Sequence, residues 1–124
     1  MNDSKKKLGE KGETVAASFL RKKGYRILSK NIHSRYGEID IVAQKNDELV
    51  FVEVKTRDKK KVHYISAAES VTKKKQEKML ATINTILSDM EIGEDIPWRC
   101  DTITIEVHEK MATITHYPYA FSEN

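Results

Sequence analysis

A single α/β domain with a mixed central sheet flanked by helices, in the order α-β-β-β-α-β-β, is the fold class the sequence predicts. Three observations predict it. Two segments, one from Asp3 or Ser4 to about Lys23 and one opening between Ser66 and Thr72, repeat apolar residues at helical spacing. Between and after them lie Ile- and Val-rich runs of strand length. The 124 residues are enough for one core and too few for two, and no linker, repeat or low-complexity stretch divides them.

In the first helix Asp3 or Ser4 is the cap, Gly24 the stop, and Arg21, Lys22 and Lys23 suit the negative end. Leu8, Val15, Ala16, Phe19 and Leu20 form its buried stripe. Glu13, three residues before Ala16, falls on or beside that stripe, and Glu10 lies a turn earlier. Gly9 and Gly12 each weaken a helix by about 1 kcal/mol relative to Ala. They fit a place where another backbone or a ligand comes close, or an exposed first turn.

Tyr25–Asn31 reads as the first strand and Ile32–Tyr36 as a loop. Glu38–Lys45 and Leu49–Thr56 then form a hairpin around a turn at Asn46-Asp47. Alternation puts Phe51, Glu53 and Lys55 on one face of the second strand, and Val50, Val52 and Val54 on the other. Asp40, Glu53 and Lys55 interrupt runs apolar enough for burial on both faces, where an ionised group is costly without a partner. A turn of two or four residues sets Asp40 opposite Glu53 and Glu38 opposite Lys55; a turn of three breaks that register. Like charges facing each other with Cβ atoms about 5 Å apart repel, and a divalent cation converts such repulsion into a binding site.

Arg57–Lys61 reads as a basic loop leading to the Val62-His63-Tyr64-Ile65 segment. Ser66-Ala-Ala-Glu69 fits a capping box for the second helix, with Thr72 as a later cap. Met79, Ile83, Ile86 and Met90, joined by Leu80 and Leu87, give its buried face. Lys73, Lys74, Lys75 and Lys78 crowd its first half, a poor place for cations by the helix dipole and a good one for phosphates. Glu91–Pro97 is an acidic loop, Thr102–Val107 a strand with Ile103, Ile105 and Val107 on one face, and Ala112–His116 its hairpin partner. The tail Tyr117–Phe121 is expected to fold back on the core.

Composition narrows the class of function. Hydrophobic residues make up 39% and charged residues 33% of the chain, and no apolar run approaches the roughly 20 residues of a membrane span. Met1–Lys7 is polar and basic, without a signal-peptide apolar region, so a cytoplasmic location is expected. The single Cys100 excludes an internal disulfide, offers no zinc spacing, and reads as core. His33, His63, His108 and His116 show no ligand spacing. Net charge is only +3, but Met1–Lys78 holds 20 Lys/Arg against 11 Asp/Glu, while Met79–Asn124 holds 2 against 8. That asymmetry suits a face for a polyanion, or solvated Lys-rich helix surfaces.

Asp40 followed after twelve residues by Glu53-Val54-Lys55 has the form Asp–x(n)–Glu–x–Lys. The Asp40 and Glu53 carboxylates, with the Val54 carbonyl, are hard oxygen ligands suited to Mg²⁺ or Mn²⁺. Such an ion lowers the pKa of a bound water and stabilises phosphate charge. Lys55 can orient that water or stabilise the transition state, and Glu13 can complete the metal shell or position the water. The bland alternative is a structural cluster neutralised by Lys55 and Arg57, with Glu38 pairing Lys55 across the hairpin.

Gly37-Glu38-Ile39-Asp40 and Phe51-Val52-Glu53-Val54-Lys55-x-Arg57 are accompanied by Gly9-Glu10-x-Gly12-Glu13-x-x-Ala16, Gly24-Tyr25 and Asn31. Further along stand Ala68-Glu69-x-Val71-Thr72, Lys75-Gln76, Arg99-x-Asp101 and Ala120-Phe121. This pattern resembles the YraN-like family of bacterial proteins within the PD-(D/E)xK nuclease superfamily, and is similar to archaeal Holliday-junction resolvases. The resemblance implies a restriction-endonuclease-like core, with Asp40, Glu53 and Lys55 as active-site residues and Glu13 as a helix-borne acid. Tyr64-Ile65 stands where the family usually has Phe-Gly, and Cys100 where it has Phe.

The activity so implied is Mg²⁺- or Mn²⁺-dependent, resolvase-like hydrolysis of DNA phosphodiesters, branched or otherwise structured DNA included. Arg35, Arg57, Lys59, Lys60, Lys73, Lys74 and Lys75 are the candidates for neutralising its backbone, with Gln76 beside them. No base-reading motif is visible, which favours recognition by shape over sequence. The rival classes are a non-catalytic nucleic-acid-binding or scaffold protein and an RNA-directed nuclease. No membrane partner is expected; a junction resolvase would act as a symmetric homodimer.

Overall fold

Hydrophobic periodicity becomes packing on both sides of one sheet. The structure, a computed structural model, describes residues 3–58, 73–93 and 95–121. Its elements are α1 (Asp3–Lys22), β1 (Arg26–Ser34), β2 (Gly37–Lys45), β3 (Glu48–Asp58), α2 (Lys73–Asp89), β4 (Trp98–His108) and β5 (Met111–Phe121). The five strands lie in sequence order β1-β2-β3-β4-β5. Neighbours are antiparallel except β3 and β4, which run parallel and whose connection contains α2. The predicted class and element order therefore hold.

α1 covers one face of the sheet. Ala16, Ala17 and Leu20 pack there with Ile41, Ala43, Val50, Val52, Ile103 and Ile105. α2 covers the other, where Ile83 and Ile86 meet Ile39, Val42, Leu49, Phe51 and Cys100. Burial pushes the Cys100 thiol up to about 12, so it stays protonated and serves as core. α1 ends as its sequence predicts. Gly24 takes φ +93, Tyr25 N–H donates to Leu20 O and Gly24 N–H to Arg21 O, each at 3.0 Å, the paired bonds of a Schellman stop.

Gly12 has a packing reason. A Cβ there would stand 1.9 Å from Thr56 Oγ1, so the missing side chain lets α1 lie against β3. Around Gly9 no atom of the described residues lies within 4 Å of such a Cβ, so nothing among them calls for a close approach there.

Several expected bounds shift, mostly outward. β1 keeps its pairing through Ser34, so Ile32–Ser34 are strand and only Arg35-Tyr36 turns. Arg57 and Asp58 belong to β3 because β4 pairs with them, not to a loop. β4 starts at Trp98 for the same reason. The tail does not fold back as a separate piece: β5 continues to Phe121, with a register shift opposite Cys100/Thr102. Met90 falls beyond the end of α2 and is 46% exposed; Thr82 is buried on that helix instead. Lys59, Lys60, Lys61, the Val62–Ile65 segment and the Ser66–Glu69 and Thr72 caps lie outside the described residues.

Candidate active site

The Asn46-Asp47 turn has two residues, with Lys45 paired to Glu48. That register, extended, would set Asp40 against Glu53. The β2–β3 ladder nevertheless ends at Ile41↔Val52, one step short. β3 continues beside β4 to Asp58 while β2 departs. At the parting, the Asp40 side chain replaces the ladder: Val54 N–H donates to Asp40 Oδ2 at 2.8 Å. The expected Glu38–Lys55 pairing is lost with the ladder. Glu38 instead meets His33 across β1, at 3.1 Å and largely exposed.

The backbone is irregular at the same level. Ile39 packs on the α2 side and Ile41, two residues on, packs on the α1 side, so strict alternation slips at Asp40. Across the strand pair, Asn31 takes φ +53. Such irregularities re-aim a side chain.

The parting of β2 from β3 opens a cleft of about 410 Å³ in which groups from both faces meet. Glu13 reaches it from α1, Glu38 and Asp40 from β2, and Glu53, Val54 and Lys55 from β3. Lys75, Lys78, Met79 and Thr82 form its α2 wall, at the i, i+3, i+4, i+7 spacing of one helix stripe. Burial is the main force on Asp40, raising its pKa from 3.8 to about 7. The Val54 N–H opposes that rise, and the charges of Glu13, Glu53 and Glu38 add to it. Lys55 Nζ lies 2.7 Å from Glu53 Oε1, both side chains three-quarters or more shielded, so Lys55 is on the Glu53 face as alternation required.

Can these groups hold a divalent cation? Among the described residues no three His, Cys, Asp or Glu side chains form a ready-made metal group. Two carboxylates are nevertheless a suitable set for Mg²⁺, which retains much of its water shell and needs few protein oxygens. A half-buried carboxyl repelled by three neighbouring acids is the local chemistry that a cation relieves. The chemistry of these residues suits such an ion, and Asp40, Glu53 and the Val54 carbonyl are the candidate donors.

The profile of the family described as "Uncharacterised protein family UPF0102" matches residues 12–105. The chain belongs to that family. It is 38% identical to the UPF0102 protein of Roseiflexus castenholzii over 99% of both chains. It is 43% identical to that of Alkaliphilus oremlandii over 118 residues, 94% of this chain and 98% of the relative. The matched span of this UPF0102 chain contains Glu13, Asp40, Glu53 and Lys55.

The basic candidates are distributed unevenly in the UPF0102 chain. Lys75 lines the cleft; Lys73 and Lys74 are exposed on the turn before it, and Gln76 is half-buried outside the lining. Arg35 is exposed and stands over the ring of Tyr36, which does line the cleft. Arg57 is half-buried, two residues beyond Lys55 on β3 and outside the lining. Lys59 and Lys60 lie outside the described residues. The sequence reading missed Tyr36 and Thr82; Lys78, one of the four lysines it placed where phosphates approach, lines the cleft with Lys75.

A second polar cluster occupies the opposite end of β3. Arg99 Nε donates to Asp101 Oδ1 at 2.9 Å, its Nη2 to the Tyr25 hydroxyl at 2.8 Å, and its Nη1 to Glu48 Oε1 at 2.6 Å. His116 Nε2 stands 2.6 Å from Asp101 Oδ2, its ring edge-on to Tyr25 and Phe19. This explains Arg99-x-Asp101 structurally. Buried charges are tolerable only when paired and hydrogen-bonded, and these tie Tyr25, just past α1, to β3, β4 and β5.

Proposed function

We propose that the chain is a metal-dependent endonuclease that hydrolyses DNA phosphodiesters, structured or branched DNA included. The observation that carries this is one lysine-walled cleft receiving Glu13, Asp40 and Glu53 from three different elements, with Lys55 against Glu53. Asp40, Glu53 and the Val54 carbonyl would hold Mg²⁺ or Mn²⁺, which supplies an acidified water and charge neutralisation at the phosphate. Asp40 is oriented by the Val54 N–H, so its aim is fixed before substrate arrives. Lys55 counters Glu53 in the resting cleft and supplies a cation for the transition-state phosphate. Glu13 faces the same space and accepts a proton from, or positions, the attacking water. Lys75 and Lys78 draw the backbone phosphates in from the α2 side.

One observation favours a second reading. The Glu53–Lys55 ion pair satisfies both charges without a metal, as a non-catalytic nucleic-acid-binding protein with this fold would have it. A single assay separates the two. Linear, single-stranded, flap and four-way-junction DNA are incubated with Mg²⁺ or Mn²⁺ and with wild type, Asp40→Asn, Glu53→Gln or Lys55→Ala. Cleavage by wild type is expected to fall at least about 100-fold in each variant. Binding of every substrate without cleavage of any supports the non-catalytic reading, and cleavage surviving all three changes refutes the assignment of the site.

A further inference from the structure

Tyr36 forms the wall between the acidic cleft and a second hollow. It sits in the β1–β2 turn, 39% exposed, and lines both spaces. The turn is anchored: Tyr36 N–H donates to Ser34 Oγ at 3.0 Å, and the one Ser34 hydroxyl proton is shared between Gly37 O at 3.2 Å and Thr82 Oγ1 of α2 at 3.3 Å. The ring is braced as well, with the Arg35 guanidinium 4.8 Å from its centroid and Arg35 Nη2 donating to the Tyr36 hydroxyl.

Beyond Tyr36 the chemistry changes. The second hollow, shallow and about 410 Å³, is lined by Tyr36, Ala81, Asn84, Thr85, Ser88 and Asp89. Among the described residues its lining has no Lys or Arg, and Asp89 would repel a phosphate. It offers an aromatic edge with small hydrogen-bonding groups: the Asn84 amide donates and accepts, Ser88 does both, and Thr85 accepts because its proton goes to Ala81 O. Phosphate belongs on the lysine side of Tyr36, and an uncharged ring with polar edges belongs on this side. Nucleotides join those two chemistries, and a base can occupy such a hollow only when it is not paired and stacked in a duplex.

We infer that the hollow is a subsite for an unpaired nucleobase stacked on Tyr36, so that the substrate class is DNA with a single-stranded nucleotide beside the phosphate in the cleft. This rests on the nuclease reading of the cleft. The test uses Ca²⁺ in place of Mg²⁺ to prevent turnover, a single-stranded oligonucleotide carrying 2-aminopurine, and a duplex of equal length. Wild type and Tyr36→Phe are expected to quench 2-aminopurine and to prefer the single strand. Tyr36→Ala is expected to lose the quenching and bind the single strand about 5- to 150-fold more weakly, with a clearly smaller loss on the duplex. Asn84→Ala, on an exposed helix surface, is expected to weaken single-strand binding while the ring stays in place. Equal loss on both DNAs, or no loss on either, overturns the subsite and leaves the cleft reading intact. Single-strand preference without Mg²⁺-dependent cleavage upholds the subsite and sinks the nuclease reading. No DNA binding by wild type overturns both.

Discussion

Asp40 titrates at about 7 because its carboxyl is withdrawn from water and faces Glu13, Glu53 and Glu38, which together outweigh the Val54 N–H. The sign for stability follows from proton counting. A carboxyl at about 7 in the fold and 3.8 in the unfolded chain binds more protons when folded, so stability falls as pH rises between those values. Asp40→Asn keeps an acceptor for Val54 N–H and removes the titration. Without added metal it is expected to match wild type near pH 4 and exceed it at pH 8 by on the order of 2 kcal/mol, a figure reduced for partial solvent access. Thermal unfolding across pH checks this; a wild type that gains on the variant as pH rises would refute the shift. Excess Mg²⁺ is expected to stabilise wild type more at pH 8 than at pH 6, because the ionised carboxyl is the ligand.

Where helix meets sheet, two glycines one turn apart behave oppositely. Gly12→Ala would push a methyl against Thr56 and is expected to destabilise by about 1–3 kcal/mol, with Thr56→Ala recovering part of the loss. Gly9→Ala meets open space and is expected to add about 0.5–1 kcal/mol through helix propensity. Denaturant unfolding of the three variants checks both. The sequence flagged the two glycines equally, because helical spacing cannot report what lies opposite a position. Element types were legible wherever period and turn chemistry agreed, as at Gly24 and Asn46-Asp47. Strand ends were not, since β3 and β4 are extended by each other rather than by their own composition. Asp40, Glu53, Lys55 and Glu13 could be read as charges out of place in apolar surroundings. That β2 leaves β3 one step before Asp40 could not, because register arithmetic counts residues and carries no information on where a ladder breaks. Tyr36 escaped notice for a similar reason: only the fold places it between two hollows.

At the scale of the whole molecule, the cations that matter most crowd the start of α2, where Lys73, Lys74 and Lys75 are exposed and no acid occupies the first turn. Changing all three to Gln is expected to flatten the slope of log K against log salt for DNA binding by about 3. The same change should leave stability equal or slightly higher, since the helix dipole disfavours cations there. A parallel loss of stability and binding would mark these lysines as structural. The parallel seam between β3 and β4 governs assembly as well as shape. All ten of its residue pairs join positions 49 apart in sequence, whereas β1–β2–β3 and β4–β5 close through two-residue turns. Closing so long a loop costs about 2 kcal/mol more entropy than closing a short hairpin, so the meander and the terminal hairpin are expected to form first and the seam to zip last. Asp40, Glu53 and Lys55 all belong to the early meander. On that order Asp40 and Glu53 would stand together before the lysine wall of α2 closes over them, and the order of folding would match the order in which that charge is made and then balanced.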